Sequence, residues 1–370
     1  MENDIFEHRL NVNRRRFLSQ VSLGLGSVAL GSLLMPDLLS GTGSMDASMI
    51  PGLRDFAPKA KRVIYLFQNG APSQIESFDY KPKLKDMFGQ ELPDSVRGAQ
   101  RLTGMTANQS SFPLVGSFAD FKQYGQSGAW VSDLFPYTSR IVDDLCIVRS
   151  MHTEAINHDP ALTFFQTGAQ QGNRPSMGSW LSYGLGSENK NLPAFTVLLS
   201  RGIGNGQGVY SKLWTNGFLH QGVQFSSGED PVLYLKDSKG LSREERRVML
   251  DNIAELNHLS YEKFGDPEIS AKIKQYEMAY RMQTTVPEIM DLSKEPDSVI
   301  KLYGPDCLVP GTYAANCLMA RKLSESGVRF VQLYHQGWDQ HDNLPYEISK
   351  RHRSGFCSFG HRPQATRPAG

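Results

Sequence analysis

Three features of the chain predict an α/β fold with a largely parallel central sheet. Short β-branched and aromatic runs alternate with capped helical segments at the spacing of strand–helix–strand units. One helix-like segment turns directly into a strand-like run between Thr312 and Leu333. Polar residues able to carry chemistry follow the carboxyl ends of two such runs, where open α/β sheets gather their ligands.

In order along the chain, the first element is a leader. Asn13-Arg14-Arg15-Arg16-Phe17-Leu18 precedes a mild apolar stretch, Val21 to Leu34, interrupted by Gly24, Gly26 and Gly31. A charged head, an arginine pair and weak hydrophobicity together look like a twin-arginine signal, with an ordinary membrane anchor as the alternative. Residues 1–45 are assigned to it, which predicts export to the periplasm or cell envelope and membrane contact through this leader only.

Arg62 to Phe67 is a short β-branched and aromatic run stopped by Asn69-Gly70, and reads as a buried first strand. A helix-like segment around Leu134 to Val142 leads to an expected strand at Leu145 to Val148, with Cys146 as a buried small residue. Asp159 as cap, Pro160 at the first helical position and Gly168 as terminator predict one short helix. Ala194 to Leu199, after Pro193, is another strand. The stretch Arg201 to Gly208 reads as a surface loop, since no helical pattern opens behind its glycines.

Ser242-Arg243-Glu244-Glu245 is a capping box opening a helix to about His258, and Glu268 to Met282 is a second amphipathic helix. Together they predict a helical insertion at about 240–300, within a body spanning 46–350. Thr312 caps a helix through Leu323 to Gly327, which passes into the strand Val328 to Leu333. The last twenty residues, 351–370, contain no Asp, Glu, Leu, Ile or Val and form an atypical tail. That composition suggests a shifted frame or premature end, with a disordered basic tail as the alternative.

Composition excludes some functions. The chain has 370 residues, 39% hydrophobic and 21% charged, with a formal charge of +1. Without a basic stripe bearing interleaved aromatics, nucleic acid is not an expected partner. The four cysteines, Cys146, Cys307, Cys317 and Cys357, show no zinc-binding spacing. Cys307 and Cys317 could pair in an oxidising compartment, which spacing alone leaves open.

Two clusters could carry chemistry. In Trp338-Asp339-Gln340-His341, residues two apart face one side of an extended backbone, so Asp339 and His341 form a candidate pair of ligands for zinc, manganese or another borderline divalent ion. The bland alternative makes Asp339 a helix cap and His341 a solvated loop residue. The second cluster, Met151 to Pro160, holds His152 and His158 ahead of a helix N-terminus suited to an ester anion. A cap with two polar loop histidines is its bland counterpart. Ser73 is read as a turn residue, since no general base accompanies it.

The leader, Phe67-Gln68-Asn69-Gly70-Ala71-Pro72-Ser73, Ser150-Met151-His152, Asn157-His158-Asp159-Pro160 and Gln336 to His341 together resemble the exported bacterial family called domain of unknown function 1501, a distant relative of sulfatases and alkaline phosphatases. The resemblance implies an alkaline-phosphatase/sulfatase-like α/β sandwich, incomplete at its C-terminus, holding a divalent metal (zinc, manganese or calcium). It implies Asp339 and His341 as metal ligands, His158 and His152 beside the reacting oxygen, and a sulfated or phosphorylated ester or glycan as substrate. Asn69 and Asp79 lie where related enzymes supply a first carboxylate ligand, yet Asn69 is neutral. His158-Asp159-Pro160 stands where sulfatases carry a Cys or Ser nucleophile. A non-catalytic exported binding protein, or an inactive truncated member, is the alternative.

Overall fold

The run Phe330–His335 is buried at every position, the pattern of a strand covered on both faces. In the computed structural model it is the sixth strand, β6, and lies inside the main sheet although it comes last in sequence. The structure describes residues 60–353 apart from 100, 101, 103, 105, 201–207, 218–222, 226–231, 233–239 and 266. The leader, most of the glycine-rich stretch at 201–208 and the tail from 354 onward lie outside the described residues.

The other strands are β1 (Val63–Gln68), β2 (Phe121–Tyr124), β3 (Ala129–Ser132), β4 (Phe195–Ser200) and β5 (Val223–Phe225). β2 and β3 form a small antiparallel hairpin that the sequence reading did not anticipate. The main sheet has the order β1-β6-β4-β5, and every neighbouring pair is parallel. Gln68, His335 and Ser200 share one register row, so three strands end level. An α/β architecture with a parallel sheet is therefore present.

Helices cover both faces. The helices of seven residues or more are α1 (His158–Thr167), α2 (Met177–Leu185), α3 (Arg243–Phe264), α4 (Pro267–Met290), α5 (Asp297–Tyr303), α6 (Tyr313–Glu325) and α7 (Leu344–Arg353). Because strand side chains alternate, Val331 and Leu333 join Leu198 in a core with Leu318 and Leu323 of α6 and Val286 of α4. Phe330 and Tyr334 point the other way, with Phe195, Val197, Leu162 of α1 and Trp214. The inward face of α6 carries Ala314, Cys317, Leu318 and Leu323, all fully buried.

Local signals explain most helix ends. Thr312 Oγ1 accepts from Ala315 N at 3.2 Å, and Ser242 and Glu245 close the expected capping box on α3. α3 and α4 extend beyond the expected segments; α4 even contains Pro287.

Several expectations are corrected. β1 is an edge strand, with Val63 43% and Leu66 37% exposed, because its partner β6 lies on one side only among the described residues. Leu145 to Val148 forms no strand: a kinked 3-10 segment, Thr138–Asp144, feeds into it, and Leu145, Cys146 and Val148 are exposed. Cys307 and Cys317 are buried free thiols. α1 begins two residues earlier than expected: Asn157, not Asp159, caps it, with Asn157 Oδ1 accepting from Asp159 N at 3.2 Å. Gly168 closes that helix in the left-handed conformation, as expected.

Candidate functional site

Hydrogen bonding continues beyond the strands and so fixes the segment after β6. Asn69 N donates to His335 O at 2.8 Å, Trp338 N donates to Asn69 O at 2.9 Å, and Gln336 N donates to Ser200 O at 3.1 Å. The two chains approach so closely that a Cβ on Gly70 would lie 2.5 Å from Asp339 N. Gly70 has φ +114°, a conformation effectively reserved for glycine. The Asn69-Gly70 punctuation in the sequence thus seats the Trp338–Asp339 peptide.

Beneath Asp339 lies a rigid aromatic support. Trp338 is completely buried, and its Nε1 donates to His335 Nδ1 at 3.1 Å. The His335 ring stacks on Tyr313 with centroids 4.1 Å apart and planes 13° apart. Accepting at Nδ1 places the neutral imidazole's proton on Nε2. Burial pushes the Tyr313 hydroxyl and the Cys317 thiol well above their usual ranges, so both remain protonated near neutrality.

α1 brings the third group. His158 occupies its first turn, and Nε2 lies 3.3 Å from Asp339 Oδ2. His341 Nε2 lies 2.9 Å from the same oxygen. One donor atom from each of the three residues falls within 4.8 Å of the others. The Asp339 side chain is 12% exposed, and the two imidazoles are 35% and 39% exposed, so the carboxylate sits at the base and the rings at the mouth.

The other residues singled out from the sequence lie elsewhere. His152 is exposed in an irregular segment and is not among the three grouped donors. Asp79 pairs with Lys81 at 3.0 Å, and Ser73 precedes a single 3-10 turn, Gln74–Glu76, as a turn residue does. Asp159 pairs with Lys212 at 2.5 Å, so the acidic charge at the head of α1 is offset.

A buried polar network escaped the sequence reading. Gln332 Nε2 donates to Gln166 Oε1 and to Tyr334 Oη, each at 2.7 Å, and Gln166 Nε2 donates to Tyr65 Oη at 3.4 Å. It joins α1, which carries His158, to β6, which leads to Asp339. Its one sequence signal is an amide inside the apolar run Phe330–Tyr334. Burial pushes the Tyr65 hydroxyl up to about 12 and that of Tyr334 well above its usual range.

The family described as protein of unknown function (DUF1501) matches residues 60–354, taking in β1 through α7. The chain belongs to the DUF1501 family. No curated protein and no solved structure matches it.

In this DUF1501 protein, two imidazoles and a carboxylate meet at the carboxyl edge of a parallel sheet. Such a donor set suits a borderline divalent cation. The two imidazole contacts to Asp339 Oδ2 are 3.3 and 2.9 Å, and all three donor atoms lie within 4.8 Å of one another. His341 Nε2 is within hydrogen-bond distance of Asp339 Oδ2, and His158 Nε2 is within ion-pair distance of the same oxygen.

Proposed function

We propose that this DUF1501 protein is an exported metal-dependent hydrolase of sulfate or phosphate esters, built on an alkaline-phosphatase/sulfatase-like α/β sandwich. The supporting observation is the convergence of His158, Asp339 and His341 from two distant segments on one carboxylate oxygen. In this reading His158 joins Asp339 and His341 as a metal ligand. Two imidazoles favour zinc or manganese over calcium, which prefers oxygen donors.

His158, Asp339 and His341 would hold a divalent cation, which would supply Lewis acidity toward an ester oxygen. The protein's own groups do the rest. Asp339 fixes both rings, while Trp338 and the Gly70 crossing hold Asp339. The head of α1 directs its positive end toward an ester anion. The first turn of α1 offers Asn157, His158, Asp159 and Pro160 without a hydroxyl or thiol, which favours attack by water over a covalent intermediate. The twin-arginine-like leader supports export to the periplasm or cell envelope.

The test uses the full chain, stripped with EDTA and reloaded with zinc or manganese. Metal uptake is measured by mass spectrometry, and hydrolysis with nitrophenyl sulfate and nitrophenyl phosphate. The expected result is stoichiometric metal that Asp339→Ala and His158→Ala abolish together with ester cleavage. Metal content indifferent to Asp339→Ala would defeat the proposal. Metal binding without cleavage of either ester would favour a non-catalytic binding protein.

A further inference from the structure

The outer edge of β1 carries hydrogen-bonding groups that its own sheet leaves unused. Val63 N donates to Arg329 O and Asn69 N donates to His335 O, so Val63, Tyr65, Phe67 and Asn69 turn their backbone groups toward β6. The alternate residues Ile64, Leu66 and Gln68 therefore point their N–H and C=O groups outward, and nothing pairs with them among the described residues. Such a row specifies one kind of partner, another extended strand. We infer that this edge is a homodimer interface, at which β1 of a second copy of the chain pairs antiparallel with the first about a two-fold axis at Leu66 and joins the two sheets into one.

Strands that remain at an edge are kept short, or carry a lysine, a proline or a bulge that discourages pairing. β1 has six residues, Val63-Ile64-Tyr65-Leu66-Phe67-Gln68, with no charge, no proline and an unbroken register against β6. Its exposed Val63 and Leu66 are continued on α1 by Phe165, which is 51% exposed and whose ring lies 5.6 Å from that of Phe67. A second copy thus covers apolar side chains as well as satisfying the backbone.

The edge is complementary to itself, which favours a second copy over an unrelated strand. About an axis at Leu66, the two Leu66 residues exchange a pair of N–H···O bonds, and Ile64 of each copy exchanges another pair with Gln68 of the other. The same register sets Lys61 and Arg62 of one copy opposite the uncharged Ala71 and Gly70 of the other, whereas a parallel pairing in register would bring like charges together. Residues 354–370 contain no Leu, Ile or Val, so that segment is a poor competitor for the edge.

Sedimentation equilibrium on the full chain tests the interface, with twice the chain mass as the expected result. Leu66→Lys sets two ammonium groups face to face at the axis and leaves the bonds to β6 untouched. It is expected to weaken dimerisation by about a hundredfold while thermal melting stays cooperative. If that variant does not fold, Leu66→Cys in a chain carrying Cys146→Ser and Cys357→Ser decides the matter. Residues paired across an antiparallel ladder stand about 5.5 Å apart at Cα, within disulfide reach, so mild oxidation is expected to cross-link Leu66→Cys into a dimer and to leave Val63→Cys, three residues off the axis, uncross-linked. A chain that sediments as a monomer overturns the interface. So does a dimer indifferent to Leu66→Lys, or equal cross-linking of the two cysteine variants. A monomer whose Leu66 amide resists hydrogen exchange overturns it too, because another segment of the same chain then covers the edge.

Discussion

Gln332 of β6 donates its side-chain amide to Gln166 of α1 across 2.7 Å, in the middle of an otherwise apolar face. This bond ties the strand that ends at Asp339 to the helix that begins at His158. Gln332 also carries a buried Oε1 without a hydrogen-bond partner. Removing one partner of a buried pair strands the other, whereas removing both leaves only a packing change. Gln332→Leu and Gln166→Leu should each destabilise the fold by about 1–3 kcal/mol, and the double substitution by less than their sum. Urea melts of the four proteins measure the coupling; strict additivity would show that the bond ties nothing together.

Gly70 and Ala71 both have positive φ, +114° and +64°, but should respond oppositely to substitution. Gly70→Ala forces a Cβ to within 2.5 Å of Asp339 N and should cost about 3 kcal/mol or more. Ala71 is exposed, and Ala71→Gly relieves left-handed strain of about 1–2 kcal/mol while adding chain entropy of similar size, so it should be neutral or mildly stabilising. Thermal melts compare the two. Equal destabilisation would contradict the tight crossing described between β1 and the segment after β6.

Trp338 fills the floor of the site and orients His335. Trp338→Phe keeps an aromatic ring but deletes the Nε1 donor to a buried imidazole, with an expected cost of about 1–3 kcal/mol. Trp338→Ala also opens a cavity and should cost about 3–5 kcal/mol. Chemical denaturation gives both values, and a Phe variant as unstable as the Ala variant would assign the whole effect to the lost Nε1 hydrogen bond.

The candidate site is partly legible in sequence for identifiable reasons. Asp339 and His341 lie two residues apart behind an apolar run, so local spacing alone predicts that they face the same way. The meeting of His158 with Asp339 depends on α1 packing against β6 through Leu162, Gln166 and Tyr334, which no local pattern encodes. The strong caps at Ser242 and Thr312 fix helix starts because their hydrogen bonds span only a few residues. Leu145 to Val148 misleads because an apolar run predicts a strand only where a neighbouring strand is available to pair with it.

The α3 start offers a local test. Ser242 Oγ accepts from Glu245 N at 3.2 Å, and Glu245 Oε2 accepts from Ser242 N at 2.8 Å. Ser242→Ala removes half of this reciprocal cap and should cost about 1 kcal/mol. Ser242→Asp retains an acceptor beside the positive helix end and should restore most of it. Hydrogen exchange in the first turn of α3 should rise in the Ala variant alone.

Alkaline pH should unfold this protein through its buried phenols. Burial pushes Tyr65 up to about 12, while the hydrogen bond from Gln166 pulls it partly back; burial also raises Tyr313 and Tyr334. An unfolded tyrosine ionises near pH 10. Below that pH both states keep the proton, and the fold retains its full stability. Between pH 10 and about 12 the unfolded chain releases a proton that folded Tyr65 still holds, so ionisation favours unfolding. Tyr65 alone should account for a loss of roughly 2–3 kcal/mol across that window. Tyr65→Phe should flatten the fall in melting temperature above pH 10. Tyrosinate absorbance should show a late step coincident with loss of helical circular dichroism, and complete titration near pH 10 with the fold intact would rule out this mechanism.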